Sequence, residues 1–395
     1  MAEGKPGIEH TQAMVVLEQK TQEIALIKDV AEVKDGRDKA EALRVYARSA
    51  GKSLEVQNEC AEMRLRYERR AGELLIDYEM WGGWKADSPE KPKLSDLAIT
   101  KDQSSRWQRI AQIPETMFEA FLEEAKARVR EITTAGALKV YRLADAERRK
   151  AEIMEGDVGP LLSCQGVLLQ GDMREILLTE PHRDIADLIL TDPPFGLGET
   201  AEIEFAGRGN MSRSAGDWDN FDKVEASVIF AIWAGTFRRI IKPDGSLYCF
   251  VADMYLGNMV AALGRAGFLI REILVWKKTN PPPSVRKRNR RSDVEYIIYA
   301  TAGEDFTLNW TGQERMVKGL LFPICGGNER LDHPTQKPIA LLKEYIEVST
   351  NEGDLVVDPF AGVGSTGVAA RDLGRRYLLI ERDDYYFRQA RIRLQ

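Results

Sequence analysis

Two hydrophobic periodicities divide the chain. Over roughly the first 150 residues, apolar side chains recur at helical spacing in segments such as KAEALRVYARSA and LEVQNECAEMRLRYERRAGELLIDY. Ala, Glu, Leu and Arg dominate there, all good helix formers. From about Leu161 the pattern changes. Short apolar runs now alternate with helical stretches: GVLLQGD, ADLILTD, GSLYCFVA, ILVWKK, VEYIIYAT, DLVVDPFAG and RYLLIERD. Alternating strands and helices predict an α/β domain with a largely parallel sheet. The expected organisation is therefore a helical N-terminal domain over 1–155 and an α/β domain over 160–395, joined through the charged LADAERRKAEIMEGDVGP.

Within the helical part, WGGWKADSPEKPK (81–93) breaks the pattern with Gly and Pro. The following LSDLAITKDQSSRWQRIAQIP fits a helix-turn-helix over 94–113. It would comprise a short helix Ser95–Ile99, a turn at Thr100–Lys101 and a second helix Asp102–Ile113. Gln103, Ser104, Arg106, Trp107 and Arg109 would then be placed to meet a groove or phosphates; an ordinary helical hairpin is the other reading.

Composition narrows the class. The 395 residues are 44% hydrophobic and 30% charged, ordinary for a globular protein. No apolar stretch reaches the roughly 18 residues a membrane span needs, so no membrane partner is expected. The N-terminal MAEGKPGIEH has no basic-then-apolar pattern. With four scattered cysteines, this leads us to expect a cytoplasmic protein with reduced thiols. His10, His182 and His333 are far apart, and no metal site is expected. The net charge of −6 does not suggest a nucleic-acid binder, but electrostatic footprints are local. VRKRNRR places five cations between Arg286 and Arg291.

The chemistry begins with a glycine loop. DLVVDPFAGVGSTGVAARDLGRRYLLIERD reads strand, glycine turn, helix, strand, acid. Gly362, Gly364 and Gly367 fit G-x-G-x-x-G, and Glu381 follows Gly362 by 19 residues. Glycines admit close backbone approach to a ligand, and an acid at the next strand end can bind ribose hydroxyls. The pattern predicts an adenosine-type cofactor, with NAD and S-adenosylmethionine (SAM) both open. The other strand patterns precede this unit, so the expected sheet is a circularly permuted Rossmann-like one.

That permutation gives sense to TDPPFG at 191–196. Ligands of open α/β sheets bind beyond the carboxyl ends of strands. Asp192 to Phe195 would stand at such an end beside the glycine loop. Asp192 and the Pro193 carbonyl can accept hydrogen bonds from an exocyclic amine, Phe195 can stack on a ring, and Pro193 and Pro194 keep the geometry stiff.

At these residues the sequence resembles the β-class SAM-dependent DNA amino-methyltransferases, the adenine-specific and N4-cytosine DNA methylases. DPPF at 192–195 matches their catalytic tetrapeptide, FAGVG at 360–364 their cofactor loop, and HPTQKP at 333–338 a third element in the expected order. DWDNF, IIKPDGSLYCF and LVWKKTNPPPS also resemble family segments, and the likeness covers about 165–395. The resemblance implies direct transfer of the SAM methyl to an exocyclic amine of a flipped-out base in double-stranded DNA. Asp192, Pro193, Pro194 and Phe195 would be catalytic. Asp172, Asp358, Phe360, Gly362, Gly364, Ser365, Thr366 and Glu381 would hold the cofactor. Thr335 and Lys337 would bind its amino-acid end, Lys337 by pairing with the carboxylate. A helix N-cap is the alternative reading of Asp172, and His333 is expected to orient its loop rather than act as a base.

An acid at the first tetrapeptide position implies adenine N6, with cytosine N4 as the alternative and a helix-turn-helix regulator with a non-catalytic cofactor domain as a remote one. Arg286, Lys287, Arg288, Arg290 and Arg291 are expected to contact phosphates, within a recognition segment over about 280–330. The glycine-rich stretch after Phe195 is an expected DNA-ordered loop. Target sequence, a restriction–modification partner, and monomer against homodimer are not legible.

Overall fold

A computed structural model describes residues 19–80, 94–156, 158–179, 182–194, 203–204, 210–211, 223–283 and 290–395. The chain divides into two compact units, Met1–Glu152 and Ile153–Gln395. Of the described residues, no helix is long and apolar enough to cross a membrane.

The first unit is helical. Its helices include α1 (Val30–Ser49), α2 (Leu54–Met80), α3 (Lys101–Ala111), α4 (Glu115–Ala127) and α5 (Thr134–Met154), the last running just past the division. One core packs Ala61 and Leu65 of α2 against Ile110, Phe118 and Leu122. A second gathers Val33, Ala71, Leu75, Ile99 and Trp107. Asp29 caps α1 through its carboxylate, and Thr100 and Gln103 close a capping box on α3.

The helix-turn-helix expected here is not formed. Residues 94–98 are hydrogen-bonded turns rather than a helix, with Ala98 at φ 50°. Trp107 and Ser104 are buried in the helical core. Gln103 spends its side chain on the cap, and Arg106 donates to the Asp102 carbonyl. The apolar side of α3 thus faces inward, so two of the expected groove residues are packing residues. The segment 81–93 lies outside the described residues.

The second unit carries β1 (Leu161–Leu162), β2 (Gly166–Gln170), α6 (Met173–Leu177), β3 (Ala186–Thr191), the short pair β4 (Ile203–Glu204) and β5 (Asn210–Met211), and α7 (Lys223–Ile240). There follow β6 (Ile241–Val251), α8 (Leu256–Arg265), β7 (Leu269–Lys278), β8 (Val294–Thr301), β9 (Gly319–Phe322), α9 (Ile339–Ser349), β10 (Leu355–Asp358), α10 (Ser365–Asp372), β11 (Arg376–Glu381) and α11 (Asp384–Leu394). All seven strands expected from the sequence are present. The main sheet runs β1-β2-β11-β10-β3-β6-β8-β7-β9.

Successive strand residues serve opposite faces of this sheet. Ile189, Val357 and Ile380 join a core with α6, α7 and α8. Leu188, Val356 and Leu379 join another with α9, α10 and α11. Strands covered on both faces need apolar residues at every position, hence the continuous runs of the sequence. Each fully buried Leu or Ile contributes about 1.5–3 kcal/mol. β2, β11, β10, β3 and β6 run parallel, whereas β8 is antiparallel to β6 and β7. The glycine-loop strand β10 sits centrally although it comes late in the chain, the permuted order expected.

Candidate active site

The site lies at the carboxyl ends of three adjacent strands. β10 pairs with β3 on one side and β11 on the other. This brings together the ends Thr191–Pro193, Asp358–Gly364 and Glu381. β8 runs against its neighbour β6, so its beginning stands at the same edge, with Tyr296 opposite Val251. Glu295 enters the site by that route.

Asp358 joins two of the loops. Its Oδ1 accepts from Thr191 Oγ1 at 3.0 Å and from the Phe360 amide at 3.1 Å. Its Oδ2 accepts from Thr366 Oγ1 at 2.6 Å. Burial pushes this carboxyl up to about 6 despite those hydrogen bonds.

The glycine loop has the geometry of a cradle. Gly362 and Gly364 have φ of 52° and 77°, the left-handed region that L side chains disfavour. A Cβ on Gly362 would come 3.0 Å from His333 Nε2. Gly367 serves differently, since a Cβ there would meet Leu379 Cδ1 at 2.5 Å, so it allows α10 to pack closely on β11. Glu381 Oε2 accepts from the Gly362 amide at 2.7 Å, and Oε1 from the Asp383 amide at 2.8 Å. Burial pushes Glu381 up to about 7.

Asp192 and Lys337 form the buried ionic centre. Lys337 Nζ donates to Asp192 Oδ2, with a second carboxylate, Glu295 Oε2, 3.3 Å away. Glu295 Oε1 pairs with Lys278 Nζ at 2.9 Å. Asp192 Oδ1 is buried and has no hydrogen-bond partner among the described residues. Burial drives the Asp192 carboxyl up to about 7, with Lys337 pulling down and Glu295 pushing up. Lys337 is held above its ordinary value, as burial, which favours the neutral amine, is outweighed by Asp192 and Glu295.

Several expected residues take other partners. Lys337, which the resemblance assigns to a cofactor carboxylate, gives its ammonium to Asp192 and has Glu295 within ion-pair distance. The Thr366 hydroxyl donates inward to Asp358. Ser365 Oγ accepts from Arg393 at 3.0 Å. Asp172 N-caps α6 through the Arg174 amide at 2.8 Å and forks onto the Arg174 guanidinium, the capping alternative. It still stands near the site edge, since β2 pairs Gln170 with Glu381. His333 is neutral, pushed down to about 3 by burial. Its Nδ1 accepts from the Thr335 amide at 3.3 Å and its ring meets Tyr386 edge-on at 4.6 Å, an orienting arrangement. Phe360 packs edge-on against Trp233 at 5.0 Å.

Phe195, Arg286, Lys287 and Arg288 lie outside the described residues, as does most of the glycine-rich stretch after Phe195. Arg290 is exposed. Arg291 donates to the Pro281 and Pro282 carbonyls.

Three participants escaped the sequence reading. Glu295 and Lys278 sit on runs read only as strands. Arg393, in the last turn of α11, donates to the Val363 carbonyl at 3.3 Å as well as to Ser365. An acid at the start of an antiparallel strand was the one available signal, for Glu295.

A family model described as DNA methylase, covering N6 and N4 methyltransferases, matches residues 186–391. The type II methyltransferase M2.DpnII of Streptococcus pneumoniae is 31% identical over 235 residues, which cover 55% of this chain and 85% of that protein. The type II methyltransferase M.HinfI of Haemophilus influenzae is 32% identical over 246 residues, 58% of this chain and 68% of that one. Among solved structures, the M1.HpyAVI–SAM complex matches 58% of this chain and 98% of its own at 25% identity, with a TM-score of 0.47.

Proposed function

The chain belongs to the DNA methylase family of N6 and N4 methyltransferases, and we propose that it moves a methyl group from SAM to the exocyclic N6 amine of adenine in double-stranded DNA. The observation that carries this reading is Asp192 Oδ1, a buried carboxylate oxygen without a partner among the described residues. It stands beside the stiff Pro193–Pro194 turn. A buried acceptor left unmatched is costly unless a ligand completes it, and an amine proton is the donor this tetrapeptide suits.

The cradle fits SAM. Two left-handed glycines shape the loop, Gly362 where a Cβ would crowd His333 and Gly364 where one would press on Ala390, and Glu381 offers a carboxylate to a ribose at the end of β11. Phe360, Gly362, Gly364 and Glu381 would hold the cofactor, with Asp358, Ser365 and Thr366 fixing the loop around it. Bound there, SAM supplies a methyl group activated on a sulfonium.

The remaining work falls to the chain. The amine lone pair of adenine is delocalised into the ring, so the nitrogen is a poor nucleophile. Hydrogen bonds from its protons to Asp192 Oδ1 and the Pro193 carbonyl favour a more tetrahedral nitrogen. They also stabilise the positive charge that grows on it. A stacked base cannot reach a buried carboxylate, so the adenine swings out of the duplex and lies on Phe195. Arg286, Lys287, Arg288 and Arg290 are positioned in sequence to meet phosphates.

Mass spectrometry of nucleosides from duplex DNA treated with the protein and SAM tests the reading. N6-methyladenine is expected, and its loss in Asp192→Ala. N4-methylcytosine instead would overturn the base assignment, and unmodified DNA the whole reading.

A further inference from the structure

Two carboxylates converge on one ammonium. Lys337, with a side chain only 5% exposed, donates to Asp192 and has Glu295 Oε2 at 3.3 Å, while Lys278 pairs with the other Glu295 oxygen at 2.9 Å. Asp192, Lys337, Glu295 and Lys278 thus form a row of alternating charge, running from the candidate pocket to strand β7. With both acids ionised the row is neutral. Methyl transfer as described above uses neither Glu295 nor Lys278, so their presence needs another account.

One carboxylate would suffice to compensate a buried lysine. The second changes what the first can do. An Asp192 carboxylate with the whole charge of Lys337 to itself is a weaker acceptor and offers less negative potential to an amine that is becoming positive. Glu295 takes part of that charge. Placing Nζ on Oδ2 also leaves Oδ1 as the open oxygen. Glu295 Oε2 is itself buried, and its 3.3 Å pairing with Lys337 is the looser of the two carboxylate contacts on that ammonium.

We propose that Glu295 is a positioning residue for methyl transfer, which shares Lys337 with Asp192 and thereby sets how much negative charge Asp192 Oδ1 presents to the substrate amine. This rests on the reading of Asp192 as the amine acceptor. The other groups facing Asp192 are the Asp358 carboxylate on β10 and the Cys249 thiol on β6, the latter held neutral by burial, with its pKa pushed well up.

The test compares the full chain with Glu295→Gln and Lys337→Met, using duplex DNA and SAM. The ionised Asp192 is the stronger acceptor and the one that offers negative charge to the amine, so kcat rises with pH through its titration. Glu295→Gln removes a nearby anion and gives Lys337 wholly to Asp192. Both effects lower the Asp192 pKa, so the acid limb moves down by about one pH unit or more. Plateau kcat falls about threefold to tenfold, as a weaker base accepts less well. Lys337→Met moves the limb the opposite way. The carbon-13 NMR titration of Asp-labelled protein, with the Asp192 signal identified by its loss in Asp192→Asn, should move with the limb in each case. A role in folding alone moves neither. Unmoved midpoints in Glu295→Gln overturn the proposal. Wild-type turnover by Asp192→Ala overturns instead the reading beneath it.

Discussion

Thr191 and Asp358 are 167 residues apart in the chain and share a buried hydrogen bond of 3.0 Å. Thr191 is the last residue of β3 and immediately precedes Asp192, while Asp358 ends β10 and begins the turn to the glycine loop. This bond ties the end of β3, beside the candidate catalytic residues, to the candidate cofactor loop. Because Asp358 also accepts from Thr366 and the Phe360 amide, its loss orphans three donors at once. Thr191→Val should cost about 1 kcal/mol and lower Tm by about 2–4 °C. Asp358→Ala should cost more, because each buried group left unpaired adds about 1–3 kcal/mol. Calorimetric melting of the two variants checks the order, and Thr191→Val melting lower than Asp358→Ala would refute it.

Glu381 gives a pH-dependent prediction. Burial holds it at about 7 against an ordinary 4.5. A ribose hydroxyl donates to a carboxylate, so SAM affinity should rise between pH 6 and pH 8 as Glu381 ionises, with proton release on binding below its midpoint. For the fold the sign is opposite. A carboxyl raised above its unfolded value contributes stability fully present below the unfolded pKa and lost as pH rises through about 7. Titration calorimetry in buffers of different ionisation enthalpy reads the proton count. In Glu381→Gln the pH dependence of affinity should flatten, and an unchanged slope would remove Glu381 from the cofactor site.

The parts legible in the sequence are those that physics writes locally. Leu188 to Leu190 are buried on both faces of the sheet, so the strand announces itself as an unbroken apolar run. Gly362 and Gly364 are legible because only glycine takes their backbone angles at no steric cost. Lys337 could be singled out in the sequence but its partner could not, since an ion pair spanning 145 residues leaves no periodic trace. Trp107 misled for a related reason. A tryptophan among polar neighbours on a short helix does not reveal which side the core lies on, and here it is the Trp107 side. Strand β9, a four-residue sheet-edge run of alternating burial, lacks the unbroken apolar signal altogether.

Arg393 holds the glycine loop from the last turn of α11. It donates to the Val363 carbonyl and to Ser365 Oγ, on either side of Gly364. Arg393→Ala removes both donors while leaving the strands of the sheet intact. SAM affinity should fall about fivefold to tenfold, the equivalent of about 1–1.4 kcal/mol for loss of loop order. Ser365→Ala removes one of the two bonds and should give a smaller loss. Calorimetric affinities for SAM decide the matter, and equal binding by Arg393→Ala and the unaltered protein would show the clamp to be dispensable.

Arg290 and Arg291 are adjacent cations that should behave differently toward DNA. Arg291 uses its guanidinium on the Pro281 and Pro282 carbonyls, ten and nine residues back in the chain. Arg290 is exposed and available to a phosphate. A phosphate contact contributes mainly through counterion release, so its removal changes the slope of log affinity against log salt by about one. Arg290→Ala should therefore flatten that slope by about one contact's worth and weaken binding about equally for specific and unrelated duplexes. Arg291→Ala should leave the slope closer to its original value. It should instead reduce the preference for the target sequence, because the segment loses its tether and base-reading groups lose their register. Fluorescence anisotropy with target and scrambled duplexes over a salt series separates the two. Equal slope changes in both variants would mean that Arg291 leaves the proline carbonyls when DNA binds.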